Sequence, residues 1–126
     1  MNLQLSLKTN WFKMTKSGEK TEDYREITPY WIKRLTFNNI ELSDEDINYA
    51  LCAFRDGYTQ EEIINIYGLY IKQFKTNTMT LGYPKKDNHE RILKLEHKGI
   101  SIGFGNPNWG AEPNKLYFVI KHGVIS

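Results

Sequence analysis

Apolar and polar residues alternate with period two in "LQLSLK" (Leu3–Lys8), the pattern of a half-buried strand. The pattern then changes. In "WFKMTKSG" Trp11, Met14 and Thr15 fall on one helical face, with Asn10 placed to cap the start and Gly18 to stop the helix. "KTEDYREI" returns to period two, with Thr21, Asp23, Arg25 and Ile27 on one side and Lys20, Glu22, Tyr24 and Glu26 on the other. Pro29 suits the first turn of a short helix, "PYWIKRL". Two well-marked helices follow. Ser43 and Asp46 form a capping-box start ahead of Ile47, Ala50, Leu51 and Phe54; Thr59 and Glu62 repeat the device ahead of Ile63, Ile66, Tyr67 and Tyr70. Beyond them "FKTNTMTLGY", "RILKLEHKGISIGFG" and "KLYFVIKHGVI" read as strands, the last two joined by the turn-rich "GNPNWGAEPN". These elements predict an α+β fold, mainly β. Five or six mostly antiparallel strands form a small barrel with short peripheral helices, and a helical hairpin is inserted at about residues 41–69.

A chain of 126 residues holds one such domain comfortably. No apolar run approaches the roughly 20 residues that span a bilayer, and the N-terminus lacks the charged start and long apolar middle of a signal peptide, so the expected address is the cytoplasm, with no membrane partner. The single cysteine, Cys52, excludes an internal disulfide, and its apolar helical surroundings predict a buried, inert thiol. Net charge sharpens the picture. Between Glu41 and Tyr67 seven acids face one base, a local charge of −6, so the rest of the chain carries +8 within a total of +2. The acidic block sets the hairpin apart as an insertion, and the basic remainder suits a phosphate-bearing partner.

At "SGEKTEDYRE" (Ser17–Glu26) the chain resembles the ASCH domain family, a branch of the PUA-like barrels with the signature GxKxxExR. Gly18, Lys20 and Arg25 match, and Asp23 stands where glutamate is most frequent. "LSLK", the helix ending in "KSG", the late "KGISIG" and "KLYFVIKHGVI" are similar in order to small bacterial and phage members, so the resemblance covers residues 1 to about 37 and 70 to 126. It implies a PUA-like barrel that binds RNA or a nucleotide-like ligand. In members that hydrolyse acetylated cytidine, the motif lysine is catalytic together with a threonine and a distant glutamate. Here Asp23 occupies the threonine position, which removes the hydroxyl.

The motif residues have chemistry of their own. Gly18 permits a sharp turn near a ligand, Arg25 offers a planar fork to a phosphate or base edge, and Asp23 can accept from an exocyclic amine. Gly18, Lys20, Asp23, Tyr24, Arg25 and Trp109 are the expected ligand contacts. Lys20, Asp23 and Glu112, in the loop after Trp109, are the expected catalytic groups if the protein is a hydrolase acting on acetylcytidine or RNA. Trp109, Trp31, Tyr30 and Tyr24 can stack on bases, although Ile32 and Leu35 on the same short helix assign Trp31 to the core. Lys33, Arg34, Lys85 and Lys86 can track a nucleic-acid backbone. Metal and cofactor sites are not expected: His89, His97 and His122 follow no ligand spacing, and there is no phosphate-binding glycine loop. A charged solvated strand face is the plain alternative for the motif. The acidic hairpin is a candidate surface for a protein partner. "FRDGYTQEEIINIYG" also resembles the first helix of a helix-turn-helix, but no recognition helix follows and its charge repels DNA.

Overall fold

The computed structural model describes residues 1–37 and 43–125; the expected start of the insertion, at Glu41, lies outside them. In chain order the elements are β1 (Asn2–Leu7), α1 (Thr9–Lys16), β2 (Glu22–Glu26), α2 (Pro29–Leu35), β3 (Thr36–Phe37), α3 (Asp44–Arg55), α4 (Gln60–Tyr67), β4 (Tyr70–Ile71), β5 (Thr76–Leu81), β6 (Ile92–Phe104) and β7 (Leu116–Ile125). The fold is α+β, as the patterning predicts. A five-stranded mixed sheet runs in the order β1-β5-β6-β7-β2, and β3 and β4 pair as a separate ribbon. No helix among the described residues is long and apolar enough to cross a membrane.

The chain divides into two compact units. The first comprises Met1–Asp23, Gln73–Gly99 and Ile120–Ser126. Within it β1 pairs in parallel with β5, Leu3 opposite Asn77 and Leu5 opposite Met79, while β5 runs antiparallel to β6, Asn77 opposite Leu95. Leu3, Leu5 and Leu7 are buried as period two requires, and Met79, Leu93, Leu95 and Ile120 join them. Helix α1 begins at Thr9, a residue earlier than Asn10 could cap, and its N-cap Lys8 makes no side-chain bond to the helix. Phe12 and Thr15 are its buried residues: Thr15 lies inward as expected, but Phe12 takes the place expected of Trp11 and Met14, which are half-buried. A helix of this length tolerates a poor cap when one aromatic ring anchors it.

The second unit comprises Tyr24–Lys72 and Ile100–Val119. Thr28 caps α2 by accepting from the Trp31 N–H, with Pro29 in the first turn. The predicted capping box of α3 is present in both directions, Ser43 Oγ taking the Asp46 N–H and Asp46 Oδ2 the Ser43 N–H. Thr59 caps α4 by accepting from the Glu62 N–H, and Gly68 ends it in the left-handed conformation at φ 65°. Tyr70 therefore leaves the helix and joins β4, stacked on Phe37 with ring centroids 5.6 Å apart. Ile32, Leu35, Ala50, Phe54, Ile63 and Phe118 are buried, with the Phe54 and Phe118 rings edge to face at 5.3 Å. Cys52 is exposed, contrary to expectation: Ala50, Ala53 and Phe54 occupy the inward face of α3 and leave position 52 on the outer one.

Candidate functional site

The signature begins where α1 ends. Gly18 takes φ 84°, a conformation costly for any residue with a Cβ, and so turns the chain back over the helix end. The Gly18 N–H reaches the Thr15 carbonyl at 3.2 Å and the Lys20 N–H the Met14 carbonyl at 3.0 Å. This wrap carries Lys20 beneath the helix terminus, where it is 2% exposed. Its Nζ donates to the Glu22 carbonyl at 2.6 Å and to Asp23 Oδ1 at 3.1 Å. Asp23 is itself buried, on the inward face of β2. Lysine and aspartate are among the residue types least often buried, and then as pairs. The two leading motif residues thus meet inside the first unit.

A second polar group, unassigned from sequence, stands in the same unit. Asn77 on β5 is fully buried and lies between two imidazoles. Its Oδ1 is 2.7 Å from His97 Nδ1 and its Nδ2 is 2.7 Å from His122 Nδ1, with a further bond from Nδ2 to the Lys121 carbonyl at 3.3 Å. His122 is buried, and its backbone N–H binds the Thr21 carbonyl at 2.9 Å, beside the motif. Burial pushes the His122 imidazole down to about 4 from its ordinary 6.5; the Asp23 carboxylate opposes that shift, whereas Lys20 and His97 add to it. Burial lowers His97 as well. At neutral pH His122 is therefore an uncharged ring in a charged neighbourhood.

Gly18, Lys20, Glu96, Lys98, His122 and Val124 are among the residues lining a cavity of about 520 Å³ in this unit. That volume lies within the range of small-molecule sites. Lys98 pairs with Glu96 at 2.6 Å, both partly exposed.

Of the remaining sequence candidates, Lys85 and Lys86 belong to the first unit, whereas Tyr24, Arg25, Tyr30, Trp31, Lys33, Arg34, Trp109 and Glu112 belong to the second. Tyr24 is half-buried; its ring lies 5.8 Å from that of Tyr117 and its hydroxyl accepts from the Asn106 N–H at 2.9 Å, so it tethers the β6–β7 loop. The Arg25 and Arg34 guanidinium groups lie 5.1 Å and 5.0 Å from the centroid of Trp31, a cation–π arrangement that Tyr30 completes edge on. Trp31 is only half-buried; the core positions of α2 are Ile32 and Leu35. Trp109 closes a short 3-10 turn and is half-buried. Glu112 is exposed and lies 3.7 Å from Lys115, the arrangement of a surface carboxylate. Among the described residues no group of three or more His, Cys, Asp or Glu side chains is placed to hold a metal ion.

A signal for the missed residues exists in the sequence. His97 follows Leu93 and Leu95 at period two, and His122 follows Phe118 and Ile120 likewise; each occupies a position where the strand pattern calls for a core residue. No protein-family model, curated protein or solved structure matches the chain.

Proposed function

We propose that this protein binds RNA or a nucleotide-like ligand through the cavity at Gly18, Lys20 and His122, in keeping with the ASCH-type signature its sequence resembles. The observation that carries this reading is that Lys20, almost wholly withdrawn from water in its pair with Asp23, is one of the residues lining a 520 Å³ cavity. A buried ion pair adds little stability over apolar residues of the same volume, because each ion loses several kcal/mol of hydration. Retaining one whose lysine lines an open cavity is economical when that lysine also meets a ligand. Lys16, exposed on the lining, supplies the long-range attraction to phosphate, Lys98 can exchange its Glu96 partner for a phosphate at close range, and the apolar wall formed with Leu95 and Val124 suits a flat heterocycle.

A hydrolytic role on a modified cytidine is a second reading, favoured by Lys20 and a neutral imidazole, His122, in one cavity wall, since such groups can pass a proton to or from a bound amide. Chemical-shift titration with cytidine and with a short single-stranded RNA tests the binding reading. The expected perturbations cluster at Gly18, Lys20, Thr21, Lys98 and His122; perturbations confined elsewhere, or none, overturn it. Incubation with acetylcytidine, followed by chromatography, separates binding from turnover: intact acetylcytidine after prolonged incubation removes the hydrolytic reading and leaves the binding one.

A further inference from the structure

The Asn77 network has a direction. Asn77 Nδ2 bonds the Lys121 carbonyl, an acceptor with no hydrogen to give, so the amide cannot be turned over without opposing two oxygens. With that orientation fixed, the same Nδ2 must donate to His122 Nδ1, and Oδ1 must accept from His97 Nδ1–H. A neutral imidazole whose Nδ1 accepts carries its proton on Nε2. His122 Nε2 is the buried side-chain nitrogen or oxygen that, among the described residues, has no hydrogen-bond partner. The residue is 7% exposed and is among those lining the cavity, and Nε2 itself has no surface open to water, so a ligand meets it after a side-chain shift of the kind common at binding surfaces. A donor left unsatisfied in such a place is a rare arrangement, and a ligand atom is a sufficient reason for it.

We propose that His122 is a ligand-reading donor of this cavity, held as its Nε2–H tautomer by Asn77, and that the ligand presents a hydrogen-bond acceptor to it: the unprotonated ring nitrogen or carbonyl oxygen of a planar heterocycle. The inference deepens the nucleotide reading and rests on that cavity being the binding site. Asn77 and His97 are positioning residues. Asn77 bonds both His97 and His122, and with its orientation held it decides which His122 nitrogen bears hydrogen. The selection rule is chemical: a ring that offers only C–H at this point leaves the donor unpaired and is rejected, whereas one with a lone pair there is accepted.

The test is nitrogen-detected NMR of protein labelled at histidine, with pyrimidine and benzene as probes of equal shape that differ in their acceptor nitrogens. In the free protein at neutral pH, His122 is expected as the Nε2–H tautomer. Pyrimidine shifts its Nε2–H resonance and benzene does not, and in His122→Phe the affinity for pyrimidine, read from the backbone amide shifts of Gly18 and Thr21 in uniformly labelled protein, falls at least about tenfold. Asn77→Asp, which can only accept at this position, moves the His122 proton to Nδ1 and abolishes the discrimination; a purely structural asparagine would not exchange the tautomer. An Nδ1–H tautomer in the wild-type protein overturns the proposal. So does an Nε2–H resonance that ignores both pyrimidine and cytidine, which would mark an ordered water as its sole partner. If pyrimidine acts as expected while cytidine and RNA do nothing, the nucleotide reading fails and the assignment of His122 stands.

Discussion

A lysine with 2% of its surface exposed is held by what surrounds its ammonium group, so Lys20 and Asp23 have to be considered together. Replacing Lys20 by methionine keeps the volume and removes the cation 3.1 Å from a buried carboxylate, which is expected to destabilise the fold by about 3 kcal/mol. Adding Asp23→Leu removes the buried carboxylate as well and should restore most of that loss while ligand binding stays absent. Urea denaturation of the single and double variants measures the difference, and a double variant no more stable than the single one contradicts the coupling. His122 makes a different prediction, in pH. Its folded-state value, about 4, lies below the 6.5 of the unfolded chain, so between those values the unfolded chain binds the extra proton. Stability from this group is complete above pH 6.5 and declines as pH falls towards 4, by roughly 3 kcal/mol in all. His97, also lowered, acts in the same direction. The wild-type protein should therefore lose more stability than His122→Phe over that interval, and equal losses would remove the buried imidazole as the cause.

Among the elements, the legible ones are those where a local rule and burial agree. The leucines of β1, the capping box of α3 and the Thr59 cap of α4 were all readable because each depends on residues within one turn or one pleat. The expectations that failed depended on tertiary placement: the burial of Phe12 in place of Trp11 and Met14 on α1, the exposed Cys52, the half-buried Trp31 and the transfer of Tyr70 from a helix to a strand. For the candidate site, the motif named Lys20 and Asp23, but strand parity set them on opposite sides, and it is the turn at Gly18 that brings the Lys20 ammonium to the Asp23 carboxylate. Asn77 is 20 residues from His97 and 45 from His122, and only the strand order β5-β6-β7 brings them together. Two glycines test the connections between elements. At Gly18 a Cβ would have no atom within 4 Å, so Gly18→Ala carries only the strain of positive φ, about 1 kcal/mol. At Gly105 a Cβ would stand 2.5 Å from Ala111 Cβ and 2.9 Å from the Tyr24 ring, so Gly105→Ala adds overpacking of roughly 2–3 kcal/mol. Thermal unfolding should rank Gly105→Ala well below Gly18→Ala, and the reverse order would contradict the close approach of the β6–β7 loop to Tyr24.

For the whole molecule, the modest net charge of +2 conceals a separation between an acidic hairpin sequence at −6 and a basic remainder at +8. A nucleoside has no phosphate to sense that field, whereas a single-stranded RNA releases counterions for every phosphate neutralised, with a slope of about 0.7 per contact in log affinity against log salt. Lys16 and Lys98 are exposed members of the cavity lining, so changing both to glutamate should leave the fold intact. The double variant is expected to bind the RNA at least about tenfold more weakly at low salt, and to lower the salt slope by about 1.4 if each lysine meets one phosphate. On the proposed reading cytidine is held by Lys20, His122 and the apolar wall, so its affinity should change less than about twofold. The contrast between the two ligands is what matters: a loss shared equally by cytidine and RNA would mean that these lysines shape the cavity rather than guide a backbone. An unchanged salt slope would mean that phosphate is drawn in elsewhere. The proposed binding mode divides attraction by the exposed cations from recognition by the buried polar groups, and measuring both ligands at two salt concentrations in the same variant separates those contributions directly.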